Sequence, residues 1–293
     1  MIRYGPAGWN YDDWKGVVYP RPAPRGFDQL GFLAEYFDTI EINSTFYGPA
    51  KPKTSRAWVE RVAGHPDFRF TAKLYRRFTH ERKSTWTAAE VREVRDSFDP
   101  LMEADRLGAL LLQFPWSFRR NDENREWLED LTRAFTDYPL VVEVRHESWN
   151  VPGLFEELAE RRIGFVNIDQ PLFSDSIAPT AHATARIGYV RVHGRNYMDW
   201  WRKGAGVYAR YDYLYPAGEL KPWAARVKEI ASDPVTEDVY VVTNNHARGK
   251  AVANALMLES MVEGRRVEAP PELAEEYGTV LKPYIRKPKP HAG

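Results

Sequence analysis

The sequence predicts an α/β fold in a single domain, a TIM-like (β/α)8 barrel of parallel strands, on three observations. Eight short apolar runs rich in Val, Ile, Leu or Phe recur over about 260 residues, the number and spacing such a barrel needs. Most are followed by a longer stretch of helical periodicity. No Gly-x-Gly-x-x-Gly or P-loop sequence follows any of them, which counts against the competing open, doubly wound sheet.

Taken in order, the strands are IRYGPAG from Ile2, DTIEIN from Asp38, FRFTAK from Phe68 and LGALLLQF from Leu107. The second four are PLVVEVR from Pro139, GFVNID from Gly164, ARIGYVRVH from Ala185 and DVYVVTN from Asp238. The best helices lie at residues 53–62, 90–104, 124–135, 152–162, 220–231 and 247–262. In the last, Val252, Ala255, Leu256, Leu258 and Met261 form one apolar stripe. Two connections, residues 9–26 and 194–216, are too aromatic for plain linkers and are read as lids over one end of the barrel. The domain spans residues 1–282, and the Pro- and Lys-rich stretch 283–293 is expected to fray.

A chain of 293 residues buries roughly three quarters of its unfolded surface, so its core needs no staple, and no cysteine is present to make one. No apolar run approaches the roughly 18 residues that cross a bilayer, and no basic-then-apolar leader opens the chain. A cytoplasmic protein with no membrane partner is the expectation. The 41 Lys and Arg balance 41 Asp and Glu, so attraction to nucleic acid would have to come from a local patch.

Strand alternation locates polar side chains inside the barrel, because residues two apart share a face. With Val142 and Val144 toward the helices, Glu143 and Arg145 point to the axis. With Val190 and Val192 toward the helices, Tyr189, Arg191 and His193 point inward. The same reasoning puts Glu41, Asn43, Lys73, Gln113, Asn167 and Asp169 inside, all near the C-terminal strand ends where barrel enzymes build their sites. Buried unpaired charges cost several kcal/mol, so the group either pairs internally or meets a ligand.

The loops add more. Arg76, Arg77, Thr79, His80, Arg82 and Lys83 follow the third strand and can hold a phosphate or carboxylate, or simply face solvent. Asn244, Asn245 and His246 precede a helix, where they meet an anion or sugar, or cap the helix. Trp149, Trp200, Trp201, Tyr208, Tyr211, Tyr213 and Tyr215 offer flat surfaces for stacking or for packing.

The motifs GPAGW (5–9), EINSTFY (41–47), LLLQFP (110–115), VVEVRHESW (141–149), RVHGR (191–195), YDYLYP (211–216) and TNNHARGKAVANA (243–255) together resemble the YecE-like family, domain of unknown function number seventy-two. The resemblance spans residues 2–262 and implies a TIM-barrel-like fold with no established activity. Departures at Val18, Tyr75 and Thr243 concern loop detail.

Metal-independent acid–base chemistry on a small anionic substrate, phosphorylated or nucleotide-like, is the favoured expectation, with a hydrolase or lyase ahead of an oxidoreductase. His193, Glu143, Asp169, Lys73 and Glu41 are the catalytic candidates. Arg145, Arg191, Arg76, His80, Gln113, Asn43, Trp149, Arg195, Asn244, Asn245 and Tyr211 are the substrate-binding candidates. No cofactor is called for. A divalent metal held by Glu41, Glu143, Asp169 and His193 remains an alternative, opposed by the neighbouring cations. A two-carboxylate glycosidase using Glu41 and Glu143 is another. A Schiff base at Lys73 is a third, favoured by nearby cations and opposed by nearby carboxylates. A different class is a module that grips single-stranded nucleic acid with the basic loop and aromatic lids. A scaffolding role and the oligomeric state stay open.

Overall fold

The computed structural model describes residues 1–200, 202 and 207–286, with backbone alone at 207 and 208. Eight parallel strands form one sheet: β1 (Ile2–Pro6), β2 (Thr39–Ile42), β3 (Arg69–Lys73), β4 (Leu107–Gln113), β5 (Leu140–Glu143), β6 (Gly164–Asp169), β7 (Ile187–Val192) and β8 (Asp238–Thr243). Every strand expected from the sequence is present. Consecutive strands pair from β2 to β8, and β1 pairs with β8, leaving the β1/β2 seam to close the barrel. That seam is held by a parallel bridge from Ala7 to Glu41 and by the Gly8 N–H donating to Glu41 O at 2.9 Å.

Two glycines relieve close approaches in the barrel. A Cβ on Gly5 would sit 1.7 Å from Thr39 O, so only glycine lets β1 lie this close to β2. A Cβ on Gly108 would sit 2.0 Å from the Tyr240 hydroxyl, so this glycine makes room for the Tyr240 ring, which with Tyr189 fills space that branched aliphatics usually fill.

Helices surround the sheet and follow the apolar periodicity. Pro52–Arg61 and Pro152–Glu160 start with proline in the first turn, where its missing N–H costs nothing. Ala88–Glu103 starts two residues before the expected position because Thr87 and Glu90 form a reciprocal capping box. Asn121 caps Asp122–Ala134 by accepting from Asn124 N. Ala217–Ser232 covers the region expected at 220–231. Lys250–Glu263 begins three residues later than expected, because Arg248 and Gly249 take left-handed φ of 51° and 73°. The short helix Gln29–Ala34, capped by Asp28, was not expected.

Of the stretch expected to fray, 283–293, the structure describes residues 283–286. Ile285 is buried, its chain bridges to Val267, and Arg286 N donates to Val267 O at 2.8 Å. The rest of that stretch, 287–293, lies outside the described residues, as do Trp201 and the Tyr208 side chain.

Candidate functional site

At the centre of the barrel is an ion-paired layer built from three distant strands. Arg191 on β7 donates from Nε to Glu41 Oε2 at 2.9 Å and from Nη2 to Glu41 Oε1 at 2.6 Å. Its Nη1 donates to Glu143 Oε2 at 3.0 Å. The Tyr189 hydroxyl donates to Glu41 Oε2 at 2.9 Å and lies 2.9 Å from Thr71 Oγ1. Glu143 Oε1 accepts from Arg145 Nε at 2.9 Å and faces His193 Nε2 at 3.2 Å. All four of Glu41, Glu143, Arg191 and His193 are buried.

Burial alone would raise the Glu143 carboxyl, but Arg191, His193 and Arg145 reverse this and hold it well below the usual carboxylate range. Burial pushes His193 down to about 3, against the pull of Glu143 and with help from Arg145 and Arg191. At neutral pH the ring is therefore uncharged. Its Nε2 lies 3.2 Å from Glu143 Oε1 and 3.3 Å from Arg145 Nη2, and its Nδ1 lies 3.2 Å from the Asn244 amide nitrogen.

Above this layer opens a cavity of about 910 Å³ at the C-terminal ends of the strands. Its floor is polar: Asn43, Lys73, Gln113, Arg145 and Asn244, from five different strand ends. Its walls are aromatic and include Trp9 and Tyr11 from the loop after β1, Phe46 and Tyr47 after β2, Trp116 after β4, and Trp200 and Tyr211 after β7. Both loops read as lids therefore contribute. The first is firmly seated, with the Trp14 indole buried and donating to His246 O at 2.7 Å and Tyr11 stacked on His246 at 4.6 Å.

Lys73 is the exception to the pairing below. Its ammonium lies 4.0 Å from the centre of the Phe46 ring and has no hydrogen bond or ion pair among the described residues. Burial pushes it down to about 7, with Arg191 and Arg145 adding and Glu41 and Glu143 opposing. His80, whose ring meets Phe46 edge-on at 4.8 Å, is pushed down to about 3 by burial and by Lys73.

The inward set expected from alternation thus converges except on β6. There Asp169 faces the helix layer, bonded to the Trp223 indole at 2.9 Å, to Tyr215, and to Arg195 at 2.7 and 2.9 Å. Asn167 likewise faces outward, its amide holding the chain near His182 at 2.9 Å. The alternation on this strand is the reverse of the expectation, because both polar groups answer donors and acceptors in the surrounding loops and helices. Arg195 goes with Asp169, so neither joins the site. Trp149 is buried, stacked on Phe118 at 5.1 Å, and is packing. Asn245 donates to Tyr213 O and Asn254 Oδ1 at 2.7 and 2.8 Å and shapes the loop rather than the cavity. Tyr213 and Tyr215 bond Glu219 and Asp169. Arg191 and His193 stay sealed beneath the floor, while Arg76, His80 and Tyr211 do line the cavity.

The basic loop is mostly occupied. Arg77 bonds Glu90 at 2.8 Å and the carbonyls of Glu81, Ser84 and Thr85, Arg82 bonds Asn124 at 2.6 Å over the Phe118 ring, and Arg76 pairs with Glu81 at 2.8 Å. Among the described residues no three His, Asp or Glu side chains converge as metal ligands, since Glu41 and Glu143 are both turned to Arg191. For the same reason they do not flank the cavity as a glycosidase pair. Alternation missed the aromatic walls, which lie beyond the strand ends. The motifs GPAGW and EINSTFY contain three of them, Trp9, Phe46 and Tyr47.

Known proteins show the same architecture. A DUF72 family protein of Thermotoga maritima is 32% identical, with a TM-score of 0.76 over 90% of this chain and 99% of its own. One from Enterococcus faecalis is 24% identical, with a TM-score of 0.77 over 90% and 96%. The UPF0759 protein YunF of Bacillus subtilis is 26% identical over 90% of this chain and 95% of its own length. The UPF0759 protein YecE of Escherichia coli K12 is 28% identical over 55% and 54%. The family model described as "Protein of unknown function DUF72" matches residues 3–276, and the chain belongs to that family.

Proposed function

We propose that the protein is an enzyme of metal-independent acid–base chemistry on a small anionic substrate, bound in the cavity at the C-terminal mouth of the barrel. One observation carries this reading: the described lining holds the cations Lys73, Arg76, Arg145 and Arg210 and no Asp or Glu. Such a surface attracts an anion and leaves no carboxylate to compete for it. Arg145 is the natural anchor, since Glu143 fixes its Nε and Nη2 at 2.9 and 2.8 Å while Nη1 has no protein partner among the described residues. The cavity volume falls within the range of small-molecule sites.

Lys73 carries the proton in this reading. A group that titrates near neutrality both gives and takes a proton at the operating pH. His193, expected to do so, is buried, neutral and part of the layer that fixes Arg145. The aromatic walls flank the carbon skeleton of the substrate and keep water away from the amine.

The test is a panel of phosphorylated and carboxylated metabolites scored by thermal shift and then calorimetry. An anion should raise Tm, and Arg145→Gln should weaken its binding by about tenfold or more, the effect of one lost charged hydrogen bond. Turnover of that compound should vanish in Lys73→Met and follow an ionisation near pH 7 in the natural protein. Neutral analogues binding as tightly as anions, or turnover surviving in Lys73→Met, would overturn the assignment.

A further inference from the structure

Resting on the anionic-substrate reading, we propose that Lys73 is a covalent group: its Nζ condenses with the carbonyl of an anionic aldehyde or ketone whose charged end is held by Arg145. The sequence left one obstacle, that Glu41 and Glu143 would hold the amine as a paired ammonium. In the structure both are taken. Glu41 receives Arg191 and Tyr189, Glu143 receives Arg191, Arg145 and His193, and neither lines the cavity. Lys73 instead lies at the floor of an open cavity over an aromatic face, with no acceptor of its own among the described residues. A lone lysine beside guanidinium groups in a desolvated pocket is the setting in which an amine becomes a nucleophile. The depressed ionisation of Lys73 agrees with that placement.

The step balances. The nitrogen lone pair attacks the carbonyl carbon, a C–N bond forms, and the carbonyl oxygen leaves as water. Ammonium plus carbonyl therefore gives one protonated imine and one water, with no change in charge or oxidation state. The imine then draws electrons from the adjacent carbon, which selects C–H or C–C bond cleavage there and places the reaction among lyases and isomerases of oxo compounds. An imine needs a dry surrounding to persist, and the rings of Phe46, Trp9 and Trp116 line the same cavity.

The experiment uses the full chain at pH 7 with glyoxylate and sodium cyanoborohydride, followed by digestion and mass spectrometry. Reduction turns the imine into a stable secondary amine bearing a carboxymethyl group. Lys73 should be modified about tenfold or more faster than the solvent-exposed Lys15, Lys51 and Lys53, because a far larger share of it is free amine. Glycolate, which keeps the carboxylate and carries an alcohol in place of the aldehyde, should slow the labelling, and Arg145→Gln should need more glyoxylate for the same rate. Lys73→Arg, checked for folding by circular dichroism, should show no adduct at that position. Labelling of Lys73 no faster than that of the exposed lysines overturns the proposal. If glycolate or glyoxylate then still raises Tm in the natural protein and not in Arg145→Gln, the imine alone has failed and the anion-binding reading stands. If acetaldehyde labels Lys73 as fast as glyoxylate, the anionic substrate class is overturned.

Discussion

Arg191 and Glu41 meet side by side in the middle of the barrel, with two parallel hydrogen bonds of 2.9 and 2.6 Å between residues 150 positions apart. The bidentate fork fixes both side chains, and the third guanidinium nitrogen fixes Glu143. Through Glu143 the same arginine orients Arg145 at the cavity floor. A residue with no exposure to solvent or ligand thereby sets the position of one that faces the cavity.

Removing Arg191 leaves the buried Glu41 carboxylate without a cation and takes one of the cations from Glu143, which keeps Arg145. Arg191→Met is therefore expected to lower stability by about 3–5 kcal/mol, the usual cost of breaking a buried pair on one side. Urea unfolding measures it. Adding Glu41→Gln should recover part of the loss, because an amide tolerates burial better than an unpaired carboxylate. Arg191→Lys should not rescue, since an ammonium cannot span Glu41 and Glu143 together. A loss below about 1 kcal/mol would mean that water or rearrangement satisfies both acids.

Lys73 makes the opposite prediction. Its folded ionisation at about 7 lies below its ordinary 10.5, so in this window the unfolded chain binds more protons than the folded one. Stability contributed at this position is then lowest at and below pH 7 and rises as pH increases toward 10.5. Lys73→Met should stabilise the protein at pH 7 by up to a few kcal/mol, and the gain should shrink as pH rises. Paired thermal melts at pH 7 and 9.5 decide it. A destabilised Lys73→Met at both would show that the ammonium is well solvated or paired.

His193 predicts the acid limb. With a folded value near 3 against an ordinary 6.5, the unfolded state takes up a proton first as pH falls, so stability drops between those two values. His193→Gln, which keeps an amide able to meet Glu143 and Asn244, should lose less stability between pH 6.5 and 4 than the natural protein does. Denaturant midpoints across that range test it, and parallel curves for the two proteins would refute the assignment of this limb to His193.

These residues also mark how far the sequence could be read. All eight strands and six of the helices followed from apolar periodicity, because each is set by its own local spacing. Alternation found Glu41, Lys73, Gln113, Glu143, Arg145, Arg191 and His193 as one inward group, since the side chain of a strand has only two directions. It did not distinguish the sealed layer from the cavity floor, a difference of two residues along a strand, as from Glu41 to Asn43 and from Glu143 to Arg145. It failed on β6, where Asp169 finds its partners Tyr215 and Trp223 at separations of 46 and 54 residues, beyond any local pattern. Phe46, which carries the Lys73 ammonium, sits in a short 3-10 turn past the end of β2, where strand alternation no longer applies.

The barrel seam supplies the last prediction, through two glycines with opposite surroundings. At Gly5 an added methyl would sit 1.7 Å from Thr39 O and 3.3 Å from the Thr39 methyl, and neither neighbour is a flexible chain end that can swing away. Gly5→Ala must therefore push β1 from β2, straining the Gly8 to Glu41 hydrogen bond and tilting Glu41 away from Arg191. At Gly153, in the first turn of Pro152–Glu160, nothing lies within 4 Å of the same methyl. Gly153→Ala should stabilise by about 0.4–1 kcal/mol through the unfolded chain and helix propensity. Gly5→Ala should cost about 3 kcal/mol, the upper end of the usual cost of overpacking a core. Because the strain reaches Glu41, Gly5→Ala should also weaken anion binding, which Gly153→Ala should leave unchanged. Urea midpoints and calorimetry on both variants check the pair, and equal stability of Gly5→Ala and the natural protein would mean that the seam is looser than its geometry requires.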